Sequence, residues 1–375
     1  MINHKDRAHA LLSASSASRW LACPRSAMAA ELYEDTSTEY ADEGTRAHEC
    51  CQLFAEGKRA EASPDNPEME RCAEEYTAYI SELMTDKSSV RFLETRVDYS
   101  EYVPEGFGTA DCIIVNPGRL EVVDFKYGKG VIVSAVENPQ MKLYALGAYL
   151  FLSSLKELGV EYDISEVVLH IFQPRIDNIS TYELPLADLL KWGGSIKKTA
   201  KQAYEGKGKY NPGPHCRFCP HAGKCRALAK ECTEVAEYAG RKVKVETLAP
   251  FEVAELLKKE AVITMFLKAV KAEALATLSR GDEIPGFKLV EGKLGNRKWA
   301  DEARVMEILK DNGYGEEDFT ETKLLSPSGM DASLGKKTVA ELLGSVITRA
   351  PGTPIVVEES DKRPAYEPTY NEIFE

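Results

Sequence analysis

The spacing of apolar and polar positions changes period along the chain, and those changes outline its elements. A Ser-rich start runs into helix-compatible residues over about 13–35. Helices are expected around Glu43–Glu56 and over 67–85. Three strand candidates follow at Val90–Val97, Gly108–Val115 and Leu120–Lys126. Asn116-Pro117-Gly118 is a turn signal between the second and third. Residues 138–157 return to helical spacing, with Leu143, Leu146, Leu150 and Leu155 close to one stripe. Val167–Phe172 and Ser180–Leu184 read as two more strands, and 185–204 as a helix ending in a Gly/Lys-rich loop. Helix, three strands, helix, strand predicts an α/β fold, with a mixed central sheet flanked by helices. Beyond about residue 240 the chain turns largely helical, over 247–281 and near 299–312. Its tail, Ala350–Glu375, holds several Pro and charged residues and is expected to be extended. A boundary is expected near 235–247, giving a domain over 1–235 and an accessory region over 240–375.

Composition adds little to this until the cysteines and charges are placed. At 43% hydrophobic and 29% charged residues the chain reads as a soluble globular protein. It has no long apolar run and no signal-peptide pattern, so a cytoplasmic location and no membrane partner are expected. Nine cysteines in such a chain suggest metal ligands and free thiols rather than a disulfide framework. The net charge of −13 argues against nonspecific nucleic-acid binding by the whole surface. The segment from Lys191 to Lys230 departs from that balance, with Lys197, Lys198, Lys201, Lys207, Lys209, Arg217, Lys224 and Arg226 against a lone acid, Glu205. Such a segment can contact phosphates, or can simply be a solvated helix face and loop.

The chemistry centres on Asp124-Phe125-Lys126, at the end of an apolar strand. Residues two apart on a strand share a face, so Asp124 and Lys126 point one way and Phe125 the other. Asp111 lies in the neighbouring strand candidate, and a hairpin would bring the two carboxylates together. Paired carboxylates form a hard oxygen site suited to Mg²⁺ or Mn²⁺, and the lysine can offset phosphate charge. Asp-x-Lys alone is common on ordinary hairpins. His48, in a helix upstream, could add an imidazole to such a site. Gln140 and Tyr144, spaced i, i+4, share a helix face after the acidic strand. Glu94 is a further acid, in the first strand candidate.

Taken together, Gly44-x3-His48, Gly108-x2-Asp111, Asp124-x-Lys126 and Gln140-x3-Tyr144 resemble the RecB-like branch of the PD-(D/E)XK superfamily, which has a restriction-endonuclease-like core. That branch includes the AddB and RecB nuclease domains and the CRISPR adaptation exonucleases. The likeness covers about residues 13–232. It implies that His48, Asp111, Asp124 and the main-chain carbonyl of Phe125 ligate metal. It also implies that Lys126 is catalytic and that Gln140 and Tyr144 support the site. The acid before x-Lys is more often Glu in that branch, whereas here it is Asp. The resemblance further implies a phage or prophage enzyme, an exonuclease acting on DNA ends or single strands in recombination. A single-strand annealing or single-strand-binding protein would be its partner. The chain has no Gly-rich ATP-binding loop, so any motor would be a separate protein.

Cys216, Cys219 and Cys225 have the spacing C-x2-C-x5-C, which lets three thiolates face one centre. Zinc held by four cysteines, or by three with His215 or His221, would satisfy that spacing. Cys23, in Ser18-Arg19-Trp20-Leu21-Ala22-Cys23-Pro24, resembles the N-terminal cysteine of the iron–sulfur RecB-like nucleases. The resemblance implies a 4Fe-4S cluster on Cys23, Cys216, Cys219 and Cys225, acting as a clamp rather than in catalysis. Cys50, Cys51, Cys72 and Cys112 are expected to be packing residues, with Cys232 a spare thiol. Phe218 and Tyr210 are expected to pack around the centre, although either could stack on a base. Asn296-Arg297-Lys298-Trp299 forms a small basic–aromatic group that could meet DNA or simply pack. A RecB-like fold without catalysis, or a zinc-stabilised protein unrelated to DNA, would be the competing readings.

Overall fold

The computed structural model describes residues 10–33, 39–156, 160–239, 250–290, 302–311, 330 and 335–347. Two short helices open it, α1 (Ala17–Ala22) and α2 (Arg25–Ala30). Pro24 separates them: proline lacks an N–H and forces the residue before it out of the α region. Cys23 accordingly sits at φ −134°, ψ 82°. The helix-compatible stretch expected over 13–35 is therefore broken at its cysteine. Helix α3 (Glu39–Ala55) and helix α4 (Pro67–Glu82) follow. Helix α4 starts where the Asn66 side chain accepts the Met69 N–H and Pro67 occupies the first turn.

Strands β1 (Val90–Asp98), β2 (Phe107–Asn116) and β3 (Gly118–Phe125) form an antiparallel meander. Helix α5 (Pro139–Leu155) crosses to β4 (Ile164–Gln173), which is parallel to β3. Strand β5 (Asn178–Pro185) then pairs antiparallel with β4, and helix α6 (Leu186–Tyr204) follows. The sheet runs β1-β2-β3-β4-β5, the mixed α/β arrangement that the sequence pattern predicts.

Period two divides the core. Leu120 and Val122 face α1, α5 and α6, where Trp20, Leu143, Leu146 and Leu189 are buried. Val123 and Phe125 face α3 and α4, among Cys51, Cys72 and Tyr76. Trp20 is fully buried without stranding its indole, because Nε1 donates to the Ser13 carbonyl at 3.0 Å. Buried Glu121 is also satisfied: it receives the Asn116 amide at 2.7 Å and pairs with His170 at 3.0 Å. His170 in turn bonds the Tyr79 hydroxyl at 2.8 Å, tying α4 to the sheet.

Helix α7 (Arg226–Ala239), which the pattern did not signal, leads towards the long helix α8 (Pro250–Ser279). Val262, Met265, Phe266 and Ala269 of α8 pack around Cys216, Ala222, Cys225 and Leu228. The approach is close at Gly223, where a Cβ would stand 2.5 Å from the Ala269 carbonyl oxygen. Helix α8 therefore lies within the first compact unit, Met1–Lys293. The second unit, Leu294–Glu375, contains α9 (Glu302–Asp311) and α10 (Lys336–Leu343). Asn296–Trp299 and the tail Ala350–Glu375 lie outside the described residues. Among the described residues no helix is long and apolar enough to cross a membrane.

Candidate active site and cysteine centre

The acidic site forms at the Glu94 and Asp111 positions of the β1–β2 ladder. Paired positions run from Leu93↔Cys112 to Thr95↔Ala110, passing over Glu94 and Asp111. On β2, Ile113 and Val115 face the α5 side, yet so does Ala110, whereas Cys112 faces the α3–α4 side. The side-chain alternation thus slips at Asp111, while the register of the two strands is the same on either side. Glu94, beside it, has φ 41°, a left-handed conformation costing about 1–2 kcal/mol for a residue other than glycine. Strain of this kind persists only where the surrounding contacts hold it.

The Asp111 carboxylate accepts the Phe125 N–H at 2.7 Å and lies 3.5 Å from His48 Nδ1. Glu94 Oε1 stands 4.0 Å from the same imidazole nitrogen. Ligand atoms of His48, Glu94 and Asp111 all fall within 4.8 Å of one another, a set able to hold a metal ion. Helix α3 supplies His48, whose ring meets Phe125 edge-on at 5.3 Å between centroids. The alternation expected along β3 is what lets Phe125 lock the imidazole from one face while Asp124 serves the other.

Asp124 is buried, accepting Gln140 Nε2 at 3.1 Å on Oδ1. Its Oδ2 lies 2.8 Å from Lys126 Nζ, close enough for ion pairing, yet no aligned hydrogen-bond donor satisfies it. Burial alone would lower the Lys126 pKa, but Asp124 and Asp111 hold the ammonium above its ordinary value. The other carboxyls respond oppositely. Burial, then Asp111 and Asp124, push Glu94 up to about 8. Burial, opposed by His48 and reinforced by Asp124, raises Asp111 to about 6. His48, Asp111, Asp124, Phe125, Lys126, Gln140 and Tyr144, the seven site residues expected from the sequence, gather here, and Glu94 joins them. Within the tight set Glu94 takes the place expected of Asp124, which is held instead by Lys126 and Gln140.

These raised carboxyls give a pH prediction. A folded pKa above the unfolded value makes the fold favour the protonated form. That stability is present below about 4.5 and is lost as pH rises through about 8 for Glu94. The metal-free protein should therefore melt at progressively lower temperature between these limits. Mn²⁺ should restore more stability at the upper end than at the lower, since it favours ionised carboxylates. Melting curves with EDTA and with Mn²⁺ across that range check this, and an equal Mn²⁺ effect at both ends would refute it.

Gln140 and Tyr144 lie on one face of α5, whose start is capped by Asn138 accepting the Gln140 N–H at 3.0 Å. Tyr144 is hydrogen-bonded to Gln140, and its hydroxyl pKa is pushed up to about 12 by burial and then by Asp124 and Asp111. Gly108, at the start of Gly-x2-Asp, lies under the tyrosine ring: a Cβ there would come within 2.8 Å of Cε1. Gly108→Ala should cost about 1–3 kcal/mol through that clash. Tyr144→Ala should relieve most of it in a double-mutant cycle read by urea melts.

Cys23, Cys216, Cys219 and Cys225 line one pocket between the α1–α2 break and the loop before α7. The Asn211 N–H donates to Cys23 Sγ at 3.3 Å and the Gly213 N–H to Cys216 Sγ at 3.4 Å. Both histidines have other partners: His215 Nε2 lies 2.9 Å from the Asn211 carbonyl, and His221 Nδ1 lies 3.1 Å from the Tyr33 hydroxyl. Among the described residues, the thiols do not form a set as tight as the 4.8 Å of the acidic site. Cys50, Cys51, Cys72 and Cys112 are buried between α3, α4 and the sheet, where burial pushes Cys72 up to about 11 and Cys112 to about 12. Cys232 does not line the four-thiol pocket.

The basic segment is less free than its sequence suggests. Lys197 pairs with Glu101, Lys201 and Lys207 with Glu205, and Lys224 with Glu273. A different surface stands beside the acidic site. It is a groove of about 940 Å³ that extends from Lys126 and Gln140 to Arg19 of α1 and to the cysteine loop at Phe218.

Fold and site together define a mixed α/β protein that joins a carboxylate–lysine–imidazole centre to a four-thiol pocket. The chain belongs to the DUF2800 family, described as "Protein of unknown function", whose model matches residues 9–364. A solved structure described as "Crystal structure of SSO0001" is similar at 17% identity, covering 57% of this chain and 85% of that one, with a TM-score of 0.28.

Proposed function

We propose that this protein is a metal-dependent deoxyribonuclease of the RecB-like PD-(D/E)XK type, its fold clamped by an iron–sulfur cluster. The observation that most supports the reading is convergence. Asp111, Asp124 and Lys126 from a hairpin, His48 from α3, and Gln140 and Tyr144 from α5 meet at one place. Three carboxylates crowded enough to raise two of their pKa values, two of them gathered with the His48 imidazole, suit a divalent cation. The mixed oxygen and imidazole set fits Mn²⁺ or Mg²⁺ on His48, Glu94, Asp111 and Asp124, with the Phe125 carbonyl as main-chain ligand. When bound, the metal supplies Lewis-acid polarisation of the phosphodiester.

The chain's own groups do the positioning. The Lys126 ammonium offsets charge on the phosphate oxygens as the diester is attacked. Gln140 fixes the Asp124 carboxylate, and Tyr144 fixes Gln140. At the other centre, a tetrahedral zinc with sulfur bonds of about 2.3 Å would draw its thiols to about 3.8 Å apart. Backbone N–H groups that donate to two of the sulfurs, together with the Cys23 and C-x2-C-x5-C pattern, favour a polynuclear iron–sulfur group. In the cell the reading extends to resection of DNA ends in recombination or repair, beside a single-strand annealing or binding protein.

The test is an anaerobic assay on end-labelled single-stranded and duplex DNA with Mg²⁺, Mn²⁺ or EDTA. Metal-dependent cleavage is expected. An intact label on every DNA form, from protein with its iron retained, would overturn the reading.

A further inference from the structure

The groove beside the acidic site has two properties that its surroundings lack. The chain carries a net charge of −13, yet none of the residues lining the groove is Asp or Glu. The charged groups that line it are Arg19 and Lys126, the latter ion-paired with Asp124 at 2.8 Å. Arg19 spends one N–H on the Ser26 carbonyl at 2.7 Å and keeps further donors. Part of the lining is apolar and solvent-facing: Val131 is 38% exposed, Ile132 75% and Phe218 67%.

Phe218 was expected to pack around the cysteine centre. It stands in the groove instead, while its neighbours Cys216 and Cys219 turn into the pocket. The short turn Pro214–Phe218 and the two flanking thiols hold the loop, and the Arg217 guanidinium lies 5.6 Å from the Phe218 ring centroid. An exposed aromatic ring and cations lining one groove free of Asp and Glu have the complementarity of an unpaired nucleic-acid strand. Bases have apolar faces to stack, and the backbone has charge to neutralise. In a duplex those base faces are already covered by their neighbours.

We infer that this groove takes single-stranded DNA, with Phe218 as the stacking residue that selects an unpaired strand over a duplex. The inference rests on the nuclease reading for its purpose, not for its geometry. Binding is measured by fluorescence anisotropy on the full chain with its metal centre intact, in Ca²⁺ buffer without Mn²⁺. The probes are labelled oligothymidylate and a blunt duplex. Phe218→Ala should weaken oligothymidylate binding about tenfold or more, while Phe218→Trp retains it. Duplex binding should be the same for all three proteins. Melting temperature and iron content verify that each variant is folded. Equal oligothymidylate affinity for Phe218→Ala and the parent would overturn the inference, as would an equal loss on both probes. If the parent binds oligothymidylate through Phe218 but cuts nothing in Mn²⁺, the groove stands and the nuclease reading falls. If it cuts DNA but ignores Phe218, the reverse holds.

Discussion

Replacing Lys126 with alanine should lower DNA cleavage at least about a thousandfold, and Asp124→Asn should do the same. The two substitutions act on one pair, Asp124 Oδ2 and Lys126 Nζ at 2.8 Å, so the double variant should be little worse than either single one. Their stability effects should differ. Lys126→Ala leaves a buried carboxylate without its cation, which costs about 3–5 kcal/mol where nothing else compensates. Mn²⁺ should recover much of that loss, because a dication replaces the missing charge. Asp124→Asn removes the negative charge itself, so Mn²⁺ should stabilise that variant less than the parent. Cleavage rates on end-labelled DNA and melts with and without Mn²⁺ read both effects. Undiminished cleavage by purified Lys126→Ala would remove the lysine from the chemistry.

The second large effect is expected at Cys23. It lies at the break between α1 and α2, while its companions Cys216, Cys219 and Cys225 follow the whole sheet in sequence. A centre shared between them closes a loop around the domain. Closing a loop of that length contributes about 5 kcal/mol by chain entropy. Cys23→Ser should therefore lose iron and acid-labile sulfide and melt about 10 °C lower or more. Cys225→Ser should behave alike, and Cys232→Ser should keep its iron because Cys232 lies outside the pocket. Full iron and sulfide in Cys23→Ser would exclude Cys23 as a ligand. Stoichiometric zinc in protein prepared without oxygen would replace the cluster with a simpler ion.

Strand β3 shows how much of the site could be read in advance. Period two alone places Asp124 and Lys126 on one face and Phe125 on the other, and the Pro117-Gly118 turn places Asp111 on the partner strand. Glu94 could be seen as an acid in a strand but not assigned. Its reach to His48 spans β1 and α3, two segments far apart in sequence, and neither carries a local mark of that contact. The basic segment misleads for a similar reason. Lys197 and Lys224 find Glu101 and Glu273, acids supplied by distant parts of the chain.

The sequence by itself determined most of the elements, their order and most of the residues that gather at both centres. Those features follow from backbone period, turn chemistry and motif spacing, all of them local. Tertiary structure alone decided what depends on distant segments meeting. It brought Glu94 to the acids and Cys23 to the cysteine loop. It set α8 against that loop, although the apolar residues of α8 show no single face that would foretell the contact. It also turned Phe218 out of the cysteine centre and into the groove, an orientation that depends on which of its neighbours the thiol pocket had already claimed.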